Sequence, residues 1–239
     1  MIRVMNLPLS LLLPHRRITV IGIEMKNIPE ARKTILRKLS ELDLDVMSLM
    51  TNAALEKDPV YTMSVLIDST GQDDTKLNEA VQQLKQVKHV ISVRAVSSDI
   101  PGVAVEPFHD EYHAFNMRIL IFTEKTLGGM LKGLYNTFGD KATPAFLFLI
   151  GTQPGREAAR YYASLFSDKQ TCLKIHERQA HALGYCRWAK ITMTAPDEYE
   201  IRFDELTECE ILRGFKSGYT SQWVRGVACG VFSEPFGGE

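Results

Sequence analysis

Two pairs of potential metal-ligating side chains have the spacing of one helical turn. His109 and His113 are four residues apart, as are Cys172 and His176, and residues at i and i+4 lie on one face of a helix. A zinc site needs about four ligands, but neither pair has further ligands placed beside it, and the first lacks the H-E-x-x-H order. We therefore predict no metal site, with a solvated linker at the first pair and a half-buried helix face at the second.

A glycine-rich segment superficially resembles a phosphate-binding loop. Residues 151–156 (GTQPGR) lack the G-K-[ST] ending that contacts phosphate and magnesium, so we interpret them as a kink or break between helical segments. The chain contains no G-x-S-x-G motif and no dinucleotide fingerprint, and Cys229 has no histidine placed beside it. Because a catalytic nucleophile needs a base or another activating group, we predict no catalytic residue and no cofactor.

The composition is typical of a globular protein. Of the 239 residues 45% are hydrophobic, and 28 Lys and Arg against 29 Asp and Glu give a net charge of −1, so no basic excess favours nucleic acid. The longest apolar runs, residues 7–14 and 145–150, are far shorter than the roughly 20 residues of a membrane span. We interpret the N-terminal run as a short arm rather than a signal peptide. A cytoplasmic location with four reduced cysteines is expected.

The first hundred residues alternate between strand and helix patterns. Residues 18–25 form a nearly continuous apolar run, typical of a strand buried on both faces, and residues 61–67 alternate like a half-buried antiparallel strand. Pro29 suits the first turn of one helix, and Asp73 suits the N-cap of the next. Further strands are expected at residues 46–50 and 90–96. The order β-α-β-β-α-β predicts a ferredoxin-like domain.

The second half is helix-rich with a small sheet, which makes the whole chain α+β. Residues 97–114 have no periodicity and contain two prolines, which indicates a linker. We therefore divide the chain into a domain of residues 1–98, a linker of residues 99–114 and a domain of residues 115–239. A strand is expected at residues 117–122. Helices are expected at residues 127–138, 142–166 and 168–183, and a hairpin at residues 187–203.

The pattern of residues 17–96 resembles an ACT domain, a small regulatory βαββαβ module. The resemblance depends on the order of the elements and on the first strand-to-helix turn, K-N-I-P-E at residues 26–30, where ACT domains often carry a D-x-P-G-type turn. Backbone amides of that turn contact the amino-acid ligand in such domains. The resemblance implies amino-acid binding at Lys26, Asn27 and Ile28 or, since Glu30 stands where a glycine is expected, a domain used mainly for dimerisation.

Residues 115–239 resemble the 4-vinyl-reductase-type domain of predicted hydrocarbon-binding proteins, whose fold is similar to that of TRAPP subunits. The matching segments are MRILIF, LGGMLKGLYNTFG, FLIGTQPGREAARYY and LGYCRWAKITM. The resemblance implies a pocket between helices for a small apolar or aromatic molecule. Its candidate lining residues are Phe146, Phe148, Tyr161, Trp188 and Trp223.

Two registers are open for the glycine-rich helix near the end of this domain. One follows Cys209, a position that helps to bind zinc in the aromatic-sensing members of the family. The other, which accounts for more of the chain and is preferred, places the helix at residues 223–233. In either register the last strands and the later cysteine of the family are expected to be missing, so a complete zinc site is not predicted.

Three functions are compatible with these patterns. The leading hypothesis is a non-enzymatic sensor or regulator of a small apolar or aromatic molecule, in which the ACT-like domain dimerises or senses an amino acid. The second is a reductase acting on a vinyl group, which only the name of the resembled family suggests. The third is a dimeric scaffold. We expect a homodimer, and we expect neither a nucleic-acid partner nor a membrane span.

Overall fold

The computed structural model describes residues 7, 9–52, 58–195, 198–216 and 221–233. The chain forms two compact units, Met1–Ile119 and Leu120–Glu239, which are described one at a time below. The division falls after residue 119, whereas the sequence predicts a second domain from residue 115. Most of the predicted connection between residues 52 and 59, the turn at residues 196–197 and the segment after residue 233 lie outside the described residues.

The first unit contains a four-stranded antiparallel sheet whose strands lie in the order β3 (Asp45–Thr51), β4 (Val60–Asp68), β2 (Ile18–Lys26) and β5 (Val90–Ser97). The order of these strands and of two helices along the chain is the predicted ferredoxin-like β-α-β-β-α-β. The elements of this unit are β1 (Ser10–Leu12), β2 (Ile18–Lys26), α1 (Pro29–Glu41), β3 (Asp45–Thr51), β4 (Val60–Asp68), α2 (Asp74–Lys85), β5 (Val90–Ser97), β6 (Val103–Val105), β7 (His113–Ala114) and β8 (Met117–Arg118).

One face of the sheet shares a core with both helices. α1 contributes Ala31, Ile35 and Leu39 at helical spacing, and these pack with the alternating apolar residues of β2 and β4. α2 begins where Asp73 accepts a hydrogen bond from the N–H of Thr75, which is the predicted N-cap. Local signals and packing therefore specify the same elements on this side of the sheet.

The opposite face is covered by a segment that we call the strap, residues 103–112. The strap begins with β6, which pairs with β1, and continues with Phe108 so close to Gly22 that a Cβ there would lie 2.5 Å from the ring. Glu106 of the strap accepts a hydrogen bond from Ser64 of β4. The prediction of a solvated linker here differs from the structure, because these side chains find partners on the sheet. For the same reason β4 is buried on both faces instead of one.

The second unit is built around one long helix. Its elements are α3 (Glu124–Leu165), α4 (Lys169–Ala182), β9 (Trp188–Ala195), β10 (Glu198–Asp204), α5 (Thr207–Leu212) and α6 (Gln222–Ser233). α3 is interrupted at Gly139, where φ is 72°, a left-handed conformation that favours glycine. The interpretation of residues 151–156 as a kink or break is wrong, since those residues continue the helix.

α3 and α6 pack backbone against backbone. A Cβ on Gly151 would overlap the carbonyl oxygen of Trp223, and a Cβ on Gly226 would overlap that of Phe148. Glycines spaced four residues apart lie on one face of a helix and allow this close approach. The glycines in the contact are Gly151, Gly155, Gly226 and Gly230. The sequence signal that resembled a phosphate loop therefore marks a helix-packing surface.

The small sheet elements agree only in part with prediction. β9 and β10 form the expected antiparallel hairpin, and Asp168 caps α4. The strand predicted at residues 117–122 is limited to Met117–Arg118, which pairs with β7 across a tight turn. Leu120 and Phe122 are exposed and lie outside any strand, so their apolar character does not reflect strand pairing within the described residues.

Candidate functional site

The turn between β2 and α1 carries three predicted ligand-binding residues. Lys26 ends β2 with an exposed side chain, and Ile28 is the N-cap of α1. The N–H of Asn27 donates to the carbonyl oxygen of Pro59 at 3.1 Å, and its side-chain amide donates to that of Asp58 at 2.8 Å. These two bonds hold the turn against the chain that leads into β4, so the turn is preorganised.

Arg32 adds a second positive charge beside this turn. Its guanidinium donates to Oδ1 of Asn27 at 2.6 Å and lies 5.2 Å from the centroid of the Tyr61 ring, a cation–π arrangement. Sequence reasoning missed Arg32, although a basic residue in the first turns of the helix after such a loop is a usable signal. With Lys26, it gives the turn two cations where a carboxylate can bind.

The strap contains a buried carboxylate, Glu106, that sequence reasoning also missed. The side chain of Glu106 is 0% exposed and accepts hydrogen bonds from the Ser64 hydroxyl at 2.6 Å and from the N–H groups of Phe108 at 3.0 Å and His109 at 3.1 Å. Burial acts to raise the pKa of Glu106, but the hydrogen bonds and the neighbouring His109 outweigh it and hold the pKa below its ordinary value. The strap is thus anchored by an ionised group.

His109 links Glu106 to a hydroxyl on β4. Its Nδ1 lies 3.1 Å from Oε2 of Glu106, and its Nε2 lies 2.8 Å from Oγ1 of Thr62. An ionised carboxylate can only accept, so it favours the ring tautomer that carries its proton on Nδ1. In that tautomer Nε2 accepts a hydrogen bond from the threonine hydroxyl. His113 instead pairs with Glu111 from β7, so the two histidines do not share a helix face as their spacing suggested.

The five aromatic residues predicted to line a pocket belong to separate contacts in the second unit. Phe146 on α3 is 44% exposed, and its ring lies 6.1 Å from that of Phe138. Trp188 opens β9 and is 45% exposed. Phe148 is half-buried on α3, where its carbonyl meets Gly226 of α6.

The other two predicted aromatic residues lie in edge-to-face pairs. Tyr161 contacts Tyr162, with ring centroids 5.3 Å apart, and Trp223 contacts Tyr185 at 5.5 Å. Trp223 also packs with Leu212 in the core beside α3. The tryptophan is therefore a half-buried residue at the start of α6 that packs against the core.

A second buried carboxylate, Glu208 on α5, holds the beginning of α6. Its two oxygens accept the N–H groups of Trp223 and Val224, each at 2.9 Å, which are unpaired donors at a helix N-terminus. Burial raises the pKa of Glu208 in spite of these bonds. α6 covers residues 222–233, the location given by the preferred register, while Cys209 lies on α5.

Cys172 and His176 share a face of α4, as their spacing predicts. The Cys172 thiol donates to the carbonyl oxygen of Phe166 at 3.5 Å, and the His176 ring stands edge-on to Tyr162 at 5.0 Å. Burial lowers the pKa of His176 to about 4 and raises that of Cys172, so both are neutral near pH 7. Across the described part of the chain, no three His, Cys, Asp or Glu side chains are grouped as metal ligands.

The middle of α3 presents an apolar face without charge. Residues 142–155 contain no charged side chain, and Phe146, Leu149 and Ile150 are all exposed, while Leu147 is buried. A helix that is apolar all round is normally covered by other structure. None of the helices within the described residues is long and apolar enough to cross a membrane.

Comparison with known proteins finds similarity only to solved structures. No family model matches the chain, and no curated protein matches it. The chain is similar to the ACT domain of a GTP pyrophosphokinase from Chlorobium tepidum, with 21% identity and a TM-score of 0.30 over 34% of this chain and 99% of that one.

Two further structures have comparable similarity. One is the C-terminal domain of the MgtC protein from Mycobacterium tuberculosis, with 19% identity and a TM-score of 0.29 over 36% of this chain and 90% of that one. The other is the regulatory subunit of aspartate kinase from Thermus thermophilus, with 14% identity and a TM-score of 0.26 over 36% of this chain and 57% of that one. About a third of the chain is thus similar to ACT domains, and the resemblance to a 4-vinyl-reductase domain with a TRAPP-like fold stays a prediction.

Proposed function

We propose that this chain is a ligand-sensing regulator and not an enzyme. The observation that supports this most is the β2–α1 turn of the first unit. It is fixed to the chain before β4 through Asn27, and Lys26 and Arg32 give it two positive charges. A preorganised cationic turn suits the carboxylate of an amino acid, because little ordering entropy is lost when the ligand binds.

An amino-acid screen tests this role directly. A ligand that binds the folded state raises the unfolding temperature, because it stabilises that state by RT ln(1 + [L]/Kd). Lys26→Gln removes an exposed ion-pair partner and is expected to weaken binding about 2- to 5-fold. Lys33→Gln, an exposed lysine on α1, is the matched control and should bind normally. If all amino acids leave the melting temperature unchanged in the full chain, the proposed role of this turn is wrong.

The second unit is proposed to bind a small apolar or aromatic molecule. The uncharged exposed face of α3 supports this, since exposed apolar patches commonly mark interaction sites. Phe146 lies within that face. Trp188 is also exposed, whereas the other three predicted lining residues are half-buried. Phe148, Tyr161 and Trp223 contribute only if the unit opens around them.

A thermal-shift screen with aromatic compounds and fatty acids tests this second site. Phe146→Ser is expected to abolish the shift produced by an apolar ligand, because it removes an exposed aromatic surface without opening the core. Met193→Ser on the exposed side of β9 is the control. A shift that survives Phe146→Ser unchanged would move the site away from α3.

The same face of α3 is compatible with a homodimer in which two copies cover each other. Light scattering of the full chain gives the mass in solution, and Leu149→Lys would place a charge in the centre of the face. We expect the substitution to convert a dimer into a monomer. A dimer whose mass is unaffected by Leu149→Lys would have to use another surface, such as the exposed edge strands β3 and β5.

A further inference from the structure

The contacts of Thr62, His109 and Glu106 have the arrangement of an activated hydroxyl. Oγ1 of Thr62 lies 2.8 Å from Nε2 of His109, and Nδ1 of that ring lies 3.1 Å from the buried carboxylate of Glu106. With the ring proton on Nδ1, beside the carboxylate, the hydroxyl donates to Nε2. A hydroxyl, a base and a group that orients the base are the parts of a nucleophilic site. Thr62 is half-buried and the His109 side chain is 24% exposed, so a small molecule from solvent can reach the hydroxyl.

We propose that Thr62 is an acylation site, at which its hydroxyl takes an acyl group from a small activated ester with His109 as the base. This proposal does not depend on ligand binding at the β2–α1 turn or at α3. Glu106 is a positioning residue, because four hydrogen bonds hold its carboxylate and its contact with Nδ1 orients the ring of His109 without touching the ester.

The step is balanced without any further reactant. Oγ1 of Thr62 attacks the carbonyl carbon of the ester and passes its proton to Nε2 of His109. A carbon–oxygen bond forms to Thr62, and the bond from the carbonyl carbon to the leaving oxygen breaks. The leaving group departs with that electron pair as a phenolate, or as an alcohol after it takes the proton from His109. Glu106 stabilises the histidinium that forms in between.

The backbone around Thr62 favours a stable adduct over rapid turnover. An oxyanion hole needs N–H groups directed at the developing negative charge. The N–H of Thr62 instead donates to Oδ1 of Asn52 at 3.0 Å, and the N–H of Asn52 donates to the carbonyl of Thr62 at 3.2 Å. Both N–H groups are therefore occupied by the hydrogen bonds between Thr62 and Asn52, and neither is directed at an oxyanion. We therefore expect one equivalent of acyl group per chain, followed by slow hydrolysis.

The probe is p-nitrophenyl acetate, used with the full chain. We expect a burst of about one equivalent of nitrophenolate, as for an accumulating acyl intermediate, and one acetyl group mapped to Thr62 by peptide mass spectrometry. Thr62→Val should remove the burst and the label. His109→Gln keeps a side chain that can hydrogen-bond to Thr62 but cannot take its proton, so it should slow labelling by at least about 100-fold.

Controls separate this chemistry from adventitious acetylation. His113→Gln changes an exposed histidine directly after the strap, and Thr34→Val changes a hydroxyl that donates to a backbone carbonyl. Both variants should label at the wild-type rate. The proposal is overturned if the acetyl group maps elsewhere in the wild-type chain, if no burst occurs, or if His109→Gln labels Thr62 as fast as wild type. Hydrogen exchange of the strap verifies that each variant keeps the fold. If a variant does not fold, the position of the acetyl group in the wild-type chain still decides the question.

Discussion

Substitution of Gly155 by alanine tests whether the backbone contact between α3 and α6 holds the second unit together. An added Cβ would overlap the carbonyl oxygen of Val227, and it would lie 2.9 Å from the carbonyl carbon of that residue and 3.0 Å from the nitrogen of Val231. All three atoms belong to the backbone of α6. No rotation of a side chain can relieve the overlap, so the two helices must separate.

Two opposing contributions determine the expected change in free energy. Alanine is favoured over glycine in a helix by about 1 kcal/mol. Overpacking a well-filled interior costs about 1–3 kcal/mol, and the upper part of that range applies here because the obstacle is backbone. We therefore expect Gly155→Ala to lower the free energy of unfolding of the second unit by about 1–2 kcal/mol.

Gly133→Ala is the matched control on the same helix. Gly133 is exposed, and a Cβ there would have no atom within 4 Å. Only the helix preference remains, so this variant should be stabilised by up to about 1 kcal/mol. One variant is therefore expected to be less stable than wild type and the other more stable, with a difference of about 1–3 kcal/mol between them, although the chemical change is identical.

Urea unfolding followed by tryptophan fluorescence measures this difference. Both tryptophans of the chain, Trp188 and Trp223, lie in the second unit, so the signal reports that unit and not the first. The midpoint should fall for Gly155→Ala and rise slightly for Gly133→Ala, with the slope unchanged. Equal midpoints for the two variants would refute the close packing of α3 on α6.

Three further predictions concern the strap and the buried carboxylates. Gly22→Ala would place a Cβ 2.5 Å from the ring of Phe108, so we expect a loss of about 1–3 kcal/mol and faster hydrogen exchange in the strap. Glu208→Gln should cost roughly 1–3 kcal/mol by leaving a helix N–H without an acceptor. Because the folded-state pKa of Glu208 is raised, the stability that this group contributes is complete below the ordinary pKa of 4.5 and is lost as pH rises through the folded-state pKa. Urea midpoints measured against pH should therefore fall over that range in wild type but not in Glu208→Gln. Hydrogen bonds, the largest from Thr70, lower the pKa of Asp68 to about 2, so its stabilisation is present above the ordinary value of 3.8 and lost as pH falls toward 2; Asp68→Asn should flatten the acid side of the same curve.

The elements of the first unit were predictable because local signals and packing agree there. Leu77, Ala80, Val81 and Leu84 form a helical stripe in the sequence and are all buried in the structure. Asp73 is both the expected and the observed cap of α2. Each of these signals acts over a few residues, so it can be interpreted without knowledge of what lies opposite in space.

The strap was missed because its partners are distant in sequence. Glu106 contacts Ser64, which precedes it by 42 residues, and nothing in the Pro-containing segment around it indicates such a contact. The alternation in β4 identified Thr62 and Ser64 as the polar face of a strand, which usually means solvent. The same pattern fits a face that binds a buried carboxylate, and periodicity alone does not separate the two cases.

The second unit shows the same limitation for glycine. A spacing of four residues between Gly151 and Gly155 is compatible with a loop, a break or a helix-packing face. The structure decides among them through α6, where Gly226 and Gly230 have the same spacing on the opposing helix. Two glycine pairs with matching spacing are thus a signal for close helix packing, because each glycine is needed only where the other helix supplies a carbonyl group.

The exposed face of α3, on the other side of that contact, is also apolar and uncharged. A helix needs an apolar or small-residue stripe on one side to join the core, and the second such stripe on α3 is the surface at which we propose that a ligand or a second copy binds.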